Sequence, residues 1–161
     1  MPGDRVVVLV GPGDGVSPPV AGWESAGPRM RMLDALAPGP SHLRIRALQD
    51  AGAIAAVISD TDDVLLDEVG VRVDVELRGS IRESVCRACG YTEPLACLLE
   101  MLPVPHCAAC GAVLAPGTPA LPGAQAAAEQ LVRGADLLLL AGVAADHPLA
   151  ALVPGGNVAA A

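Results

Sequence analysis

The sequence predicts an α/β protein: a parallel sheet with helices between its strands, joined to a small zinc-binding module built on four cysteines. Three observations carry this. Short runs of Val, Ile and Leu bounded by glycine recur along the chain with helical patterns between them, which is how buried parallel strands and their crossovers read. Four cysteines fall into two Cys-x2-Cys pairs separated by seventeen residues. Of the 161 residues 52% are hydrophobic and 17% charged, enough to bury a core, yet aromatic residues make up only 1%. The core must therefore consist of Ala, Val, Leu and Ile.

Taken in order, Val6–Val10 is a β-branched run closed by Gly11 and reads as the first buried strand. Residues 16–40 are rich in Pro and Gly, and only Arg29 to Leu36 is expected to form a short helix there. Ser41 is a plausible N-cap for a helix that ends before Gly52. Ala53–Ser59 is a second buried strand. Asp60–Gly70 reads as a loop and a short helix with Leu65, Leu66 and Val69 inward. Val71–Leu77 alternates like a third strand, Gln125–Val132 is helical and stopped by Gly134, and Ala135–Ala141 is a fourth strand. A last short helix is expected within residues 142–153, and the tail Gly155–Ala161 is expected to fray. The α/β part then comprises residues 1–80 and 116–161, and the zinc module residues 81–115.

Cys86, Cys89, Cys107 and Cys110 have zinc-ribbon spacing. Two residues between ligands let one tight knuckle present both thiolates to the same ion, and two knuckles complete a tetrahedron with Zn–S of about 2.3 Å. Gly90 and Gly111 follow the knuckles and permit the turn beneath the metal. Four thiolates close the shell, so such a site is structural and has no open position for water. Cys97 stands outside the set and reads as a buried apolar residue. The other reading of the four thiols, two disulfides, suits an oxidising compartment. The N-terminus, with its five-residue apolar run, lacks the shape of a secretory signal, so a cytoplasmic protein is expected.

Charge narrows the partners. The ten basic residues are all Arg, against 18 acidic ones, for a net charge of −8. That argues against nucleic acid and anionic membranes, which select clustered cations. No apolar run reaches the ~18 residues a spanning helix needs. A mean hydropathy of +0.48 in a chain with so few aromatics points to an apolar surface left for a protein partner or for another copy. The loop Gly11-x-Gly13-x-Gly15 after the first strand is of the kind that cradles a phosphate, although Pro18 and Pro19 occupy the place of the helix such a loop normally feeds. The acidic set Asp60, Asp62, Asp63, Asp67 and Glu68 reads as a solvated loop and first helical turn rather than a cation site, with an ion pair between Arg78 and one of these acids as a lesser reading. His42 reads as a helix-face residue and His147 as a cap or surface residue. Trp23, the one tryptophan, either anchors a partner or covers the core.

The order of these blocks resembles the sirtuin family. The strand and glycine loop running into Trp23-Glu24-Ser25, the helix His42–Gly52, the acidic loop, Glu76-Leu77-Arg78-Gly79-Ser80, both cysteine pairs and Ala135-Asp136-Leu137-Leu138-Leu139 follow one another as in that family. The resemblance implies a Rossmann-type parallel sheet with a four-cysteine zinc module and NAD as cofactor, with Gly11, Gly13 and Asp63 as the candidate cofactor contacts. It also shows where the chain departs from the pattern. Arg78 stands where the family places the His that acts as base on the ribose hydroxyl, and a guanidinium stays protonated. Asp60-Thr61-Asp62-Asp63 replaces Gln-Asn-Ile-Asp, so only Asp63 matches. Pro12 removes a backbone donor from the phosphate loop, and Asp14 adds a negative charge to it. The catalytic set is thus degenerate at Arg78 and Thr61. The chain also ends before the family's last strands, so a shortened sheet is expected. Two functions fit: a non-catalytic, sirtuin-like zinc protein acting as an interaction or accessory subunit, or an NAD-dependent deacylase or ADP-ribosyltransferase of sirtuin type completed by a partner and using Asp60 or Asp62 as base. The balance of departures favours the first, without NAD binding.

Overall fold

Strand β1 (Val6–Val10) is the middle of a five-stranded sheet, and its last four side chains are buried. The computed structural model describes residues 4–12 and 22–161. The sheet also contains β2 (Ala56–Ser59), β3 (Val75–Glu76), β6 (Leu137–Ala141) and β7 (Val158–Ala160), in the order β3-β2-β1-β6-β7, with every neighbouring pair parallel. Strands β4 (Glu83–Val85) and β5 (Thr92–Pro94) form a separate antiparallel pair beside the cysteines. The helices are α1 (Trp23–Asp34), α2 (Pro40–Asp50), α3 (Leu65–Glu68), α4 (Leu95–Glu100) and α5 (Ala124–Arg133).

Strand alternation sorts the core into two faces. Val7 and Leu9 of β1, Ala56 and Ile58 of β2, and Leu138 and Leu140 of β6 pack against Ala128 and Val132 of α5 and against Leu149. Val8, Val10 and Val57 point to the other side, onto Ile45 of α2 and Leu66 of α3. Each fully buried Val or Leu contributes about 1.5–3 kcal/mol relative to exposure. A third cluster lies off the sheet: Trp23, Ala26, Met30 and Leu33 of α1 pack on Ile81, Leu98, Leu114 and the buried Cys86 and Cys107. Helix α1 thus covers the cysteine module.

Several expectations need correction. The helix expected over Arg29–Leu36 runs from Trp23 to Asp34 with Pro28 inside it. Packing of its Trp23-Ala26-Met30-Leu33 stripe outweighs the local cost of proline. Ser41 is not the N-cap of α2: Gly39 takes that place, Pro40 follows at the first helical position, and the Gly39 N–H donates to His42 Nδ1 at 3.0 Å. The third strand shrinks to Val75–Glu76, because Asp74 intervenes. Its carboxylate accepts the Val57 N–H at 2.9 Å, a donor that a longer strand would have used in the ladder. Leu65 and Leu66 are buried as expected, while Val69 is half-buried. The helix within 142–153 is a 3-10 turn, Pro148–Leu152. The tail does not fray: Val158–Ala160 pairs with Leu138–Leu140 as β7. Cys97 is exposed rather than buried, because α4 turns Leu98 inward instead. Gly13, with the rest of residues 13–21, lies outside the described residues. Among the described residues no helix is long and apolar enough to cross a membrane.

Candidate functional site

The cysteines are held by two knuckles with the same hydrogen-bond pattern. In the first, Gly90 N–H donates to Cys86 O and Cys86 N–H to Tyr91 O, both at 2.8 Å; in the second, Gly111 N–H donates to Cys107 O and Cys107 N–H to Ala112 O, again at 2.8 Å. Gly90 (φ +77°) and Gly111 (φ +73°) make the turn that closes each knuckle, in a region side chains rarely adopt. Buried Glu93 on β5 fixes the second knuckle by accepting the Ala108 N–H at 2.8 Å. The four sulfurs lie within 4.8 Å of one another, with Cys86–Cys110 and Cys89–Cys107 at 3.6 Å. A tetrahedron with Zn–S of about 2.3 Å has edges of about 3.8 Å, so the donor set fits a tetrathiolate metal ion as it stands. The thiols are inequivalent. N–H groups of Cys89 and Ala88 pull the Cys86 thiol down to about 7. The Tyr91 N–H pulls Cys89 the same way, but burial and the neighbouring sulfurs prevail and push it up to about 12.

A second constellation gathers where β1, β2 and β6 end, the crevice in which parallel sheets bind ligands. Asp60 N–H donates to Val10 O at 2.7 Å, which sets Asp60 beside Gly11. One oxygen of the Asp60 carboxylate accepts Arg78 Nε at 2.9 Å, and the other lies 3.2 Å from His147 Nε2. Thr61 is buried and donates its hydroxyl to Asp63 at 2.6 Å, while the other oxygen of Asp63 accepts the Leu65 N–H at 3.0 Å and so starts α3. Asp62 forks onto Arg29 of α1 at 2.5 and 3.0 Å. Arg82 spans Asp67 (2.6 Å) and Glu76 (2.5 Å), and although burial pulls its guanidinium down, the two carboxylates hold it above its usual value. Four of the acids of the loop are therefore engaged in ion pairs or a helix start rather than simply solvated, and among the described residues the cysteines are the one metal-competent cluster.

The described part of the glycine loop is a poor fit to a pyrophosphate. The Gly11 N–H is spent on Ala141 O at 2.8 Å, and Pro12 has no N–H. A side chain on Gly11 would meet Gly142 O and Val143 Cγ2 at 2.6 Å, so this glycine serves the close approach of the β6 loop. Trp23 is buried, and its indole N–H donates to Leu114 O at 2.5 Å; of its two readings, covering the core is the one observed. His147 accepts the Leu149 N–H, as a cap.

Beside this crevice lies a cleft of 780 Å³ bounded by α1, by Leu77–Ile81 and by residues 115–122. Arg29, Asp62, Arg78 and Arg87 are the charged residues that line it. The pairing of Arg78 with an acid of the 60–68 loop, the lesser of the two sequence readings, is the one observed. Sequence reasoning missed Arg29–Asp62, His147–Asp60 and the Glu93 contact, for which no spacing rule exists.

Comparison with known proteins agrees with this geometry. Residues 20–146 match the model of the Sir2 family. An NAD-dependent protein deacylase of Thermococcus kodakarensis is 34% identical over 143 residues, covering 82% of this chain and 56% of its own. One from Thermococcus sibiricus is 32% identical over 153 residues, covering 84% and 60%. The chain spans 32–60% of the length of these and similar curated relatives. A solved Sir2 homologue in complex with ADP-ribose superimposes with a TM-score of 0.78 at 22% identity, covering 97% of this chain and 79% of that one. A Sir2 homologue–NAD complex gives 0.75 at 22%, covering 96% and 76%. At such identity these two speak for the fold.

Proposed function

The chain belongs to the Sir2 family, and from that premise we propose that it is a zinc-bound, non-catalytic member that works as an interaction or accessory subunit. The observation that carries this is the state of Arg78. It occupies the position at which the resemblance places the base, and its Nε donates both to the Asp60 carboxylate (2.9 Å) and to the Asp60 main-chain oxygen (3.1 Å). A guanidinium accepts no proton, and here it is tied to a carboxylate that is itself no longer free to act as a base. Asp62, the other candidate, is forked onto Arg29. The spent Gly11 N–H and Pro12 argue in the same direction, against NAD. Four soft thiolates in ribbon spacing, able to close a tetrahedron, support zinc as the metal. Thiols kept free for a metal suit a reducing, cytoplasmic compartment.

The test has two arms. The purified chain, incubated with NAD and an acylated peptide, should release no nicotinamide, and calorimetry should find no NAD binding tighter than about millimolar. Affinity capture and light scattering should find a protein partner or a mass above 16.1 kDa. Nicotinamide release would overturn the reading.

One observation favours the alternative, an NAD-dependent deacylase or ADP-ribosyltransferase of sirtuin type completed by a partner. His147 paired with Asp60 at 3.2 Å has the form of an oriented base. Activity that appears only with a co-purified partner and is lost in His147→Ala would establish it.

A further inference from the structure

The 780 Å³ cleft has the size of a small-molecule site, which runs to about 300–1,000 Å³. Its walls are mostly apolar, with Leu77, Ile81, Val85 and Leu121 among them. Its charge is opposite to that of the whole protein: three arginines and one aspartate line it, in a chain of net charge −8. Two of these arginines are held by carboxylates, Arg29 by Asp62 and Arg78 by Asp60. Among the described residues, Arg87 is the cleft arginine that no carboxylate holds. It is exposed, with a guanidinium free to accept an anion.

The third wall limits what that anion belongs to. Prolines at 116, 119 and 122 carry no N–H, the Gly117 N–H is taken by Ser84 Oγ at 2.9 Å, and the Thr118 N–H by Ser80 O at 2.8 Å. A peptide strand laid along residues 116–119 would find no main-chain donors for a ladder. Along 116–119, recognition therefore rests on side chains and carbonyl oxygens rather than on a strand ladder, which suits a small molecule.

We propose that this cleft binds a small amphipathic carboxylate, its apolar body on Leu77, Ile81, Val85 and Leu121 and its carboxylate on Arg87. The proposal rests on the non-catalytic reading in one respect, that the ligand is retained and not turned over. A planar guanidinium holds a carboxylate through two parallel N–H donors, an interaction that an alcohol of the same length cannot match.

The experiment is a titration of the full chain with octanoate and with 1-octanol, followed by calorimetry and by fluorescence of Trp23, which lies on the helix that contributes Ala26 and Met30 to the cleft. Octanoate should bind saturably and at least tenfold more tightly than octanol. Arg87→Gln, at an exposed position, should bring octanoate down to the octanol level and leave octanol unchanged. Leu121→Asp, at a side chain 80% exposed and so outside the core, should abolish both. Equal binding of acid and alcohol, no binding at several millimolar, an unaffected Arg87→Gln protein of normal metal content, or capture of an acidic peptide in preference to octanoate would each overturn the proposal. Nicotinamide release in a parallel assay would instead overturn the non-catalytic reading and leave carboxylate binding intact.

Discussion

Asp60 and His147 are 87 positions apart in sequence, yet Oδ2 of one lies 3.2 Å from Nε2 of the other. Because Arg78 holds the second oxygen of the same carboxylate, the segments that follow β2, β3 and β6 converge on a single side chain. In the sheet β1 lies between β2 and β6, so this contact passes over its end. Asp60→Asn should remove the Asp60 charge from Arg78 and weaken the grip on His147. With Arg78 40% exposed, water screens much of the pair, and a loss of about 1 kcal/mol is expected. Urea unfolding measures it. A double-mutant cycle with His147→Ala should return a coupling energy of the same sign, and strict additivity would mean that the contact contributes nothing.

Arg78→His should not restore sirtuin chemistry. The imidazole would regain a titratable nitrogen, but Thr61 stays committed to Asp63 and the Gly11 N–H to Ala141. Nicotinamide release by this variant should match that of the native chain. A gain of tenfold or more would show that the base was the sole missing part.

Gly11→Ala should destabilise the fold although its backbone is unstrained. The new methyl group would collide with Gly142 O and Val143 Cγ2 at 2.6 Å, and overpacking of this kind costs about 1–3 kcal/mol. The effect should appear as a lower urea midpoint. If Val143→Ala in the same chain relieves part of it, the collision is located where the geometry puts it.

Metal content should be one zinc per chain, and Cys107→Ser should lose it together with the order of residues 81–115. Binding should weaken as pH falls. Without metal Cys89 is pushed up to about 12, so it carries its proton at neutral pH and must surrender it to bind, whereas Cys86, pulled down to about 7, is already half ionised. Raising the pH removes these competing protons and tightens binding; lowering it does the reverse. Calorimetry of zinc addition in two buffers of different ionisation enthalpy should detect proton release. Competition with a chelator at several pH values gives the slope, and a flat profile would exclude thiolate ligation.

What could be read from the sequence was what is encoded at short range. The cysteine knuckles were legible because both ligands and the glycine that closes the turn lie within five residues. β1 and β6 were legible from continuous apolar runs closed by Gly11 and Gly142, β2 from such a run ending at Ser59, and α5 from a helical stretch stopped by Gly134. Helix α1 was obscured by Pro28 and Gly27, since its stability comes from Trp23, Met30 and Leu33 on the cysteine module rather than from its own propensity. β7 was hidden in a string of alanines, ordered only by the ladder with β6. Cys97 and Leu98 are neighbours, and which of them faces inward is set by how α4 meets α1. The contact of His147 with Asp60 had no local trace at all.

The central place of β1 bears on how the chain is made. Both of its neighbours are encoded downstream, β2 beyond two helices and β6 beyond the cysteine segment. Until the ribosome has delivered them, Val-Val-Val-Leu-Val stands as a flat, uncharged ribbon open on both sides, the form most prone to stick to other nascent chains. The knuckles, whose sulfurs meet within 24 positions, can close around metal before the sheet is complete. Cells short of zinc should therefore accumulate this protein as aggregate rather than as soluble apoprotein, with the loss arising during translation and not afterwards.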